Sequence, residues 1–255
     1  MSPRPRPARP SLAGPARRIG AALRRPEPAS SGGLGPLKLR SIDRACRLVD
    51  ARSVADLGGV WAVDGGYAFH AAGRPGVERV ALVDEDFTPT VTRRAGRDQV
   101  VELIGGNFGD PVIAGRVDRV DVVLLFDVLL HQVRPDWDEV LDLYSERTRC
   151  FVIVQPTYAG AGPAVRLLDL GVERYLATVP DVPIHHEALG RLEETNDRRG
   201  RPWRDVHDIW QWGITDSALR DKLGRLGFEL AHHEATGAWQ GLERFAEAAY
   251  VFVRP

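Results

Sequence analysis

The stretch SVADLGGVWAVDGGYAFHAAG, Ser53 to Gly73, decides how the chain is read. A short apolar run ends in Asp56-Leu57-Gly58-Gly59, as a buried strand does when it meets a glycine loop. A phosphate-binding loop would bring a helix within a few residues, through a compact G-x-G-x-x-G. Here Val60, Trp61, Ala62, Val63 and Asp64 intervene before a second pair, Gly65-Gly66. A carboxylate at Asp56 would also repel a pyrophosphate, whereas a ligand with an ammonium or sulfonium group would welcome it.

Outward from this stretch, strands and helices alternate. Val54–Leu57, Val77–Val83, Val100–Ile104, Val120–Phe126 and Cys150–Val154 read as strands. Helices are expected from a Ser41 cap through Val49, over Tyr67–Ala72, over Trp137–Thr148 and about Pro163–Leu170, and from a Thr215 or Asp216 cap to Gly227. Near-continuous apolar strands separated by helices predict a parallel sheet covered on both faces. Phe228–Leu230 and Ala248–Val253 have only a loop between them, so they should pair antiparallel as a hairpin at one edge. The fold class is α/β: Rossmann-like, doubly wound, mostly parallel, with an antiparallel edge strand and helices on both faces.

The bulk numbers exclude several functions. The chain has 255 residues, 44% of them hydrophobic, enough for one α/β domain. Thirty-four basic residues balance 35 acidic ones, so no global field points to nucleic acid or a membrane surface. No apolar run approaches the ~20 residues of a membrane helix. Cys46 and Cys150 are the only cysteines, too few for a disulfide framework or a multi-cysteine zinc site, and they fit a reducing, cytoplasmic setting. Residues 1–36 differ from the rest: seven arginines face one acid, Glu27, among Pro, Ala, Gly and Ser. Such a leader buries too little apolar surface to order itself, so disorder is expected there. The domain then spans 37–255, with a lid or substrate insertion at about 157–213, where strand signals lapse.

In an open parallel sheet, ligands bind beyond the carboxyl ends of the strands, near the point where strand order reverses. Those ends carry Asp56, Gly58 and Gly59; then Asp84, Glu85 and Asp86; then GGNFGDP, Gly105–Pro111; then Phe126, Asp127 and His131; and finally Gln155–Tyr158. An ionised Asp84 can accept two hydrogen bonds from a ribose hydroxyl pair.

With these residues in order, the chain from about Ser41 resembles a class I S-adenosylmethionine-dependent methyltransferase. VADLGG resembles that family's first motif, ALVDED its second, GGNFGDP its adenine-side loop and VDVVLLFDVLLHQV its strand-four motif, while GFEL…AAYVFVRP resembles its final strand pair. The resemblance implies S-adenosyl-L-methionine as cofactor and a seven-stranded sheet. It assigns cofactor contacts to Asp56, Gly58, Asp84, Asn107, Phe108, Asp110 and Phe126, and the strand-end positions add Gly59, Glu85 and Asp127 as expected contacts. It implies in-line attack by a substrate O, N, C or S on the sulfonium methyl. The single compact domain without a basic face argues for a small-molecule acceptor, O or N being expected, with neither nucleic acid nor membrane as partner. His131, just past strand four, is the candidate base or substrate contact; its other reading is a packing histidine. A non-catalytic Rossmann-like binding protein is the alternative, and an NAD-dependent oxidoreductase is disfavoured by Asp56 and the missing compact fingerprint. The inserted VWAVD departs from the family, and Trp61 and Asp64 are expected at the rim of the methionine end.

Elsewhere the residues divide between function and packing. His185-His186-Glu187 offers metal-ligand types, but adjacent histidines diverge in either regular structure, so no metal is expected. Trp203, Trp210 and Trp212, with His207, either wall a substrate or pack the lid onto the sheet.

Overall fold

The computed structural model describes residues 34–197, 200–206 and 209–255. Its frame is α1 (Pro36–Leu48), β1 (Ser53–Leu57), α2 (Gly66–Ala72), β2 (Arg79–Asp84), α3 (Pro89–Ala95), β3 (Val101–Gly105), α4 (Pro111–Arg116), β4 (Val120–Phe126), α5 (Trp137–Ser145) and β5 (Thr148–Tyr158). After the lid, with its short helices α6 (Val172–Leu176) and α7 (Pro183–Leu189), come α8 (Asp216–Arg225), β6 (Glu229–Trp239) and β7 (Leu242–Val253).

The seven strands lie in the order β6-β7-β5-β4-β1-β2-β3. β1 to β5 run parallel, and β7 runs antiparallel to both β5 and β6. The chain winds outward from β1 through β2 to β3, then returns to lay β4 on the other side of β1. The crevice between β1 and β4 is therefore the switch point, where ligands bind in such sheets.

The alternating side chains of β4 show why it is central. Val122, Leu124 and Phe126 join one core with α1, α2 and α3; Val123 and Leu125 join the other with α4, α5 and α8. Both faces are dry, so the strand reads as a continuous apolar run. A third cluster holds the lid together around Tyr175, Trp203, Ile209, Trp210 and Phe245.

Several boundaries differ from the sequence reading. α1 begins at Pro36 with Gly35 as its cap, not at Ser41. Proline at the first turn suits helix entry because its missing N–H was unpaired there anyway. Ser41 is an interior residue whose hydroxyl donates to the Leu37 carbonyl at 2.8 Å. The helix expected at 163–170 is instead a two-residue strand, Val165–Arg166, paired with Trp212–Gly213, followed by one 3-10 turn over Leu167–Leu170. The final hairpin is much longer than expected: its strands run 11 and 12 residues. Phe245 still pairs with Tyr158 of β5, and Phe245 and Trp239 pack against the lid's Trp210 at ring distances of 4.9 and 5.2 Å. Residues 1–33 of the expected leader lie outside the described residues. Among the described residues no helix is long and apolar enough to cross a membrane.

Candidate functional site

The inserted VWAVD forms a compact hydrogen-bonded turn ahead of α2. Asp64 N–H donates to the Val60 carbonyl (2.9 Å), Gly65 N–H to that of Gly59 (3.1 Å) and Gly66 N–H to that of Val63 (2.9 Å). Gly65 is left-handed and caps α2, which begins at Gly66. Ala62 and Asp64 hold positive φ of 64° and 48°. Asp64 accepts a hydrogen bond from the Thr88 hydroxyl at 2.8 Å. It therefore leans toward the start of α3, just beyond the carboxyl end of β2. Trp61 stands 58% exposed on the turn.

At the mouth of β1 the glycines allow close packing that no side chain would tolerate. A Cβ on Gly58 (φ +74°) would lie 2.8 Å from Val128 Cγ1 and 3.1 Å from the Phe108 ring; one on Gly59 would lie 2.2 Å from Asp56 Oδ2. Asp56 is 1% exposed, and neither carboxylate oxygen has a hydrogen-bond partner. Burial pushes its pKa up to about 7, the neighbouring Asp84 carboxylate adding to the effect; the nearby Ala68 amide, outside hydrogen-bonding geometry, and the Lys38 ammonium work the other way without restoring it. A buried acid with two unused acceptors is an incomplete site, and a group carrying positive charge completes it.

Asp84, buried at the end of β2, accepts the Val60 N–H at 3.0 Å and so ties the extra turn to the sheet. Glu85 lies 3.9 Å from Arg201 of the lid's small ribbon, so the lid reaches across to the β2 side of the cleft. In the loop after β3, Asn107 accepts from the Gly109 amide (2.8 Å) and Asp110 caps α4 through the Val112 amide (2.7 Å). Both side chains shape the loop itself. Phe108 packs against Gly58, and its carbonyl accepts the buried Tyr144 hydroxyl at 2.8 Å.

Beyond β4, Asp127 adopts a positive φ of 53° and pairs with Lys38 of α1. Strained non-glycine residues cluster where a structure over-determines its backbone, often at ligand sites. Phe126 meets Tyr67 edge-on at 5.0 Å. His131 ends a 3-10 turn, and its Nδ1 lies 3.2 Å from the Ile209 carbonyl of the lid. A carbonyl only accepts, so Nδ1 carries a proton and donates it there.

Asp56, Gly58, Gly59, Asp84, Phe126 and Asp127 therefore converge on one cleft at the switch point, with Phe108 behind the glycines. Asn107 and Asp110 stand at its β3 side, and Glu85 on its rim. Sequence reasoning missed Lys38, although lysine occurs only there and at Lys222. It named Gln155 without weighing it: the side chain is fully buried at the end of β5 with neither amide atom partnered.

The aromatic wall resolves as packing. Trp203 and Trp210 are lid core, 5% and 6% exposed, while Trp212 donates its indole N–H to the Gln132 carbonyl at 3.0 Å. His207 lies outside the described residues. His185 packs on Tyr175 and bonds the Pro180 carbonyl, whereas His186 pairs with Asp181, so the two rings go separate ways. Burial pushes the Cys46 and Cys150 thiols up to about 11 and 12, leaving them inert.

Strand order, the reversed β7 and the helices on both faces give the chain the class I methyltransferase fold. Comparison with solved structures agrees. The N-terminal domain of EvdMO1, crystallised in the presence of SAH and D-fucose, superposes with a TM-score of 0.55 at 13% identity over 88% of this chain and 85% of that one. The 1,6-didemethyltoxoflavin-N1-methyltransferase of Burkholderia thailandensis, with bound 1,6-didemethyltoxoflavin and S-adenosylhomocysteine, gives 0.53 at 15% identity over 86% and 79%. TehB from Haemophilus influenzae gives 0.52 at 9% identity over 85% and 62%. No protein-family model and no curated protein matches the chain.

Proposed function

We propose that the chain transfers the methyl group of S-adenosyl-L-methionine to a small-molecule acceptor, at an oxygen or a nitrogen. The observation that carries this reading is Asp56, a buried carboxylate at the switch point whose two oxygens lack partners. When bound, the cofactor supplies an electrophilic methyl group on a sulfonium, and its methionine ammonium is the cation that Asp56 lacks. Ligands named for two structures of the same fold, SAH and S-adenosylhomocysteine, support the choice.

The chain's own residues then have distinct tasks. Asp56, deeply buried, and Asp127, part-exposed, provide negative charge, which acts more strongly at Asp56 than it would in water. Gly58 and Gly59 let the backbone approach closely. Asp84 holds the extra turn and offers acceptor capacity toward the ribose side. His131 Nε2 takes the acceptor's proton as the new bond forms. The lid reaches Glu85 through Arg201 at 3.9 Å, a position from which it would favour a small acceptor and keep water from competing.

The test is incubation with methyl-labelled S-adenosylmethionine and a fractionated small-molecule extract of the source cells. Label should pass into a small molecule and stay behind when Asp56→Asn replaces the native chain. Tighter binding of NAD than of S-adenosylhomocysteine would overturn the reading, and so would label transfer that Asp56→Asn leaves intact.

A further inference from the structure

α1 carries one ammonium into the cleft. The Lys38 side chain is only 14% exposed. Its Nζ pairs with Asp127 and stands 5.5 Å from the Tyr67 ring centroid and 5.8 Å from that of Phe126. The segment leading to it is pinned to α2. Gly35 N–H donates to the Tyr67 hydroxyl at 2.9 Å, and Leu34 covers Gly66 so closely that a Cβ there would lie 2.4 Å from Leu34 Cδ2. Residues 34–38 thus form a strap across the start of α2, with Lys38 aimed at the β4 side. Burial works against this ammonium, but the Asp127 carboxylate outweighs it and holds the group charged, above the usual lysine range.

The charges in the cleft pose a problem that Lys38 solves. Asp56, Asp84 and Asp127 face a cofactor whose methionine moiety carries a carboxylate of its own. Three acids would repel that carboxylate in a low-dielectric cleft unless a cation met it. We propose that Lys38 receives the cofactor's methionine carboxylate, dividing its hydrogen bonds between that group and Asp127. An ammonium has three donors, enough for both partners. The inference rests on the methyl-donor reading above and adds a binding residue from outside the strand ends. The same arrangement has an opposite interpretation, in which Lys38 occupies the cation's place between the two rings and must be displaced; the experiment separates them by sign.

The experiment is calorimetric titration with S-adenosylhomocysteine and with its decarboxylated form, which keeps the amine and lacks the carboxylate. The native chain should bind S-adenosylhomocysteine at least about tenfold more tightly than the decarboxylated form, as a charge-assisted hydrogen bond implies. Lys38→Met, which keeps the side chain's bulk, should weaken S-adenosylhomocysteine about 10- to 100-fold and the decarboxylated form by less than about threefold. Lys38→Arg should recover most of the loss. Equal effects on both ligands, no effect, or tighter binding by Lys38→Met overturn the proposal. If Lys38→Met fails to fold, the native comparison and Lys38→Arg still decide. Equal binding of both ligands by the native chain removes Lys38's role and leaves the methyl-donor reading standing. Binding of neither removes both.

Discussion

Asp56→Asn should stabilise the ligand-free protein at alkaline pH while destroying its cofactor site. The carboxyl is held at about 7 in the folded chain against an ordinary value of 3.8. At 1.36 kcal/mol per unit, that difference sets an upper bound of roughly 4 kcal/mol on the cost of ionised, buried Asp56. A raised carboxyl costs nothing below its unfolded value. Stability falls as pH climbs from there through the folded value, and the loss is complete above about 7. Asparagine does not titrate, so its advantage over aspartate should grow by roughly 3 kcal/mol between pH 5 and pH 8. Its amide still lacks partners and forfeits about 1–3 kcal/mol at every pH, so the absolute gain is smaller than the pH-dependent part. Urea denaturation of both proteins at the two pH values, analysed as two-state curves, measures the difference directly. A stability difference that does not change between pH 5 and pH 8 would refute the placement of an ionisable, partnerless acid in this crevice.

Other predictions follow from the same cleft. Affinity for S-adenosylhomocysteine in the native chain should rise about tenfold from pH 6 to pH 8, because binding draws on ionised Asp56; calorimetry at each pH checks this, and a flat profile contradicts it. Gly58→Ala forces a Cβ against Val128 and Phe108 at a positive φ, which should cost about 1–3 kcal/mol of stability and eliminate ligand binding. Tyr144→Phe leaves the Phe108 carbonyl without its buried donor and should cost about 1–3 kcal/mol in denaturation experiments. His131→Ala should lower kcat for methyl transfer by about a hundredfold or more with S-adenosylhomocysteine affinity unchanged; an unchanged rate removes it as the base.

Much of this architecture was legible in the residues. The apolar β4 run, VDVVLLF, announces a strand buried on both faces, and the acids and glycines after β1 and β2 mark the carboxyl ends where a ligand binds. The helix expected over Tyr67–Ala72 is α2, Gly66–Ala72. What stayed hidden depends on long-range packing. Lys38 acquires its role only because α1 lies over β4, β5 and β7 and brings it beside Asp127. The extra length of the β6–β7 hairpin goes with long-range contacts that the sequence pattern does not show: Phe245 pairs with Tyr158 of β5, and Phe245 and Trp239 pack on the lid's Trp210. Leu167–Leu170 has helical spacing, but Val165–Arg166 pairs with Trp212–Gly213 instead and leaves one 3-10 turn. The bond from Thr88 to Asp64, which ties the inserted turn to the start of α3, is likewise a long-range contact.

The account turns on whether the crevice between β1 and β4 takes the product of the methyl donor. Calorimetric titration of the native chain with S-adenosylhomocysteine, with NAD in a parallel run, is the most direct measurement. Saturable micromolar binding of S-adenosylhomocysteine, lost in Asp56→Asn and not matched by NAD, is the predicted result. An absence of heat with S-adenosylhomocysteine, or tighter binding of NAD, would contradict it.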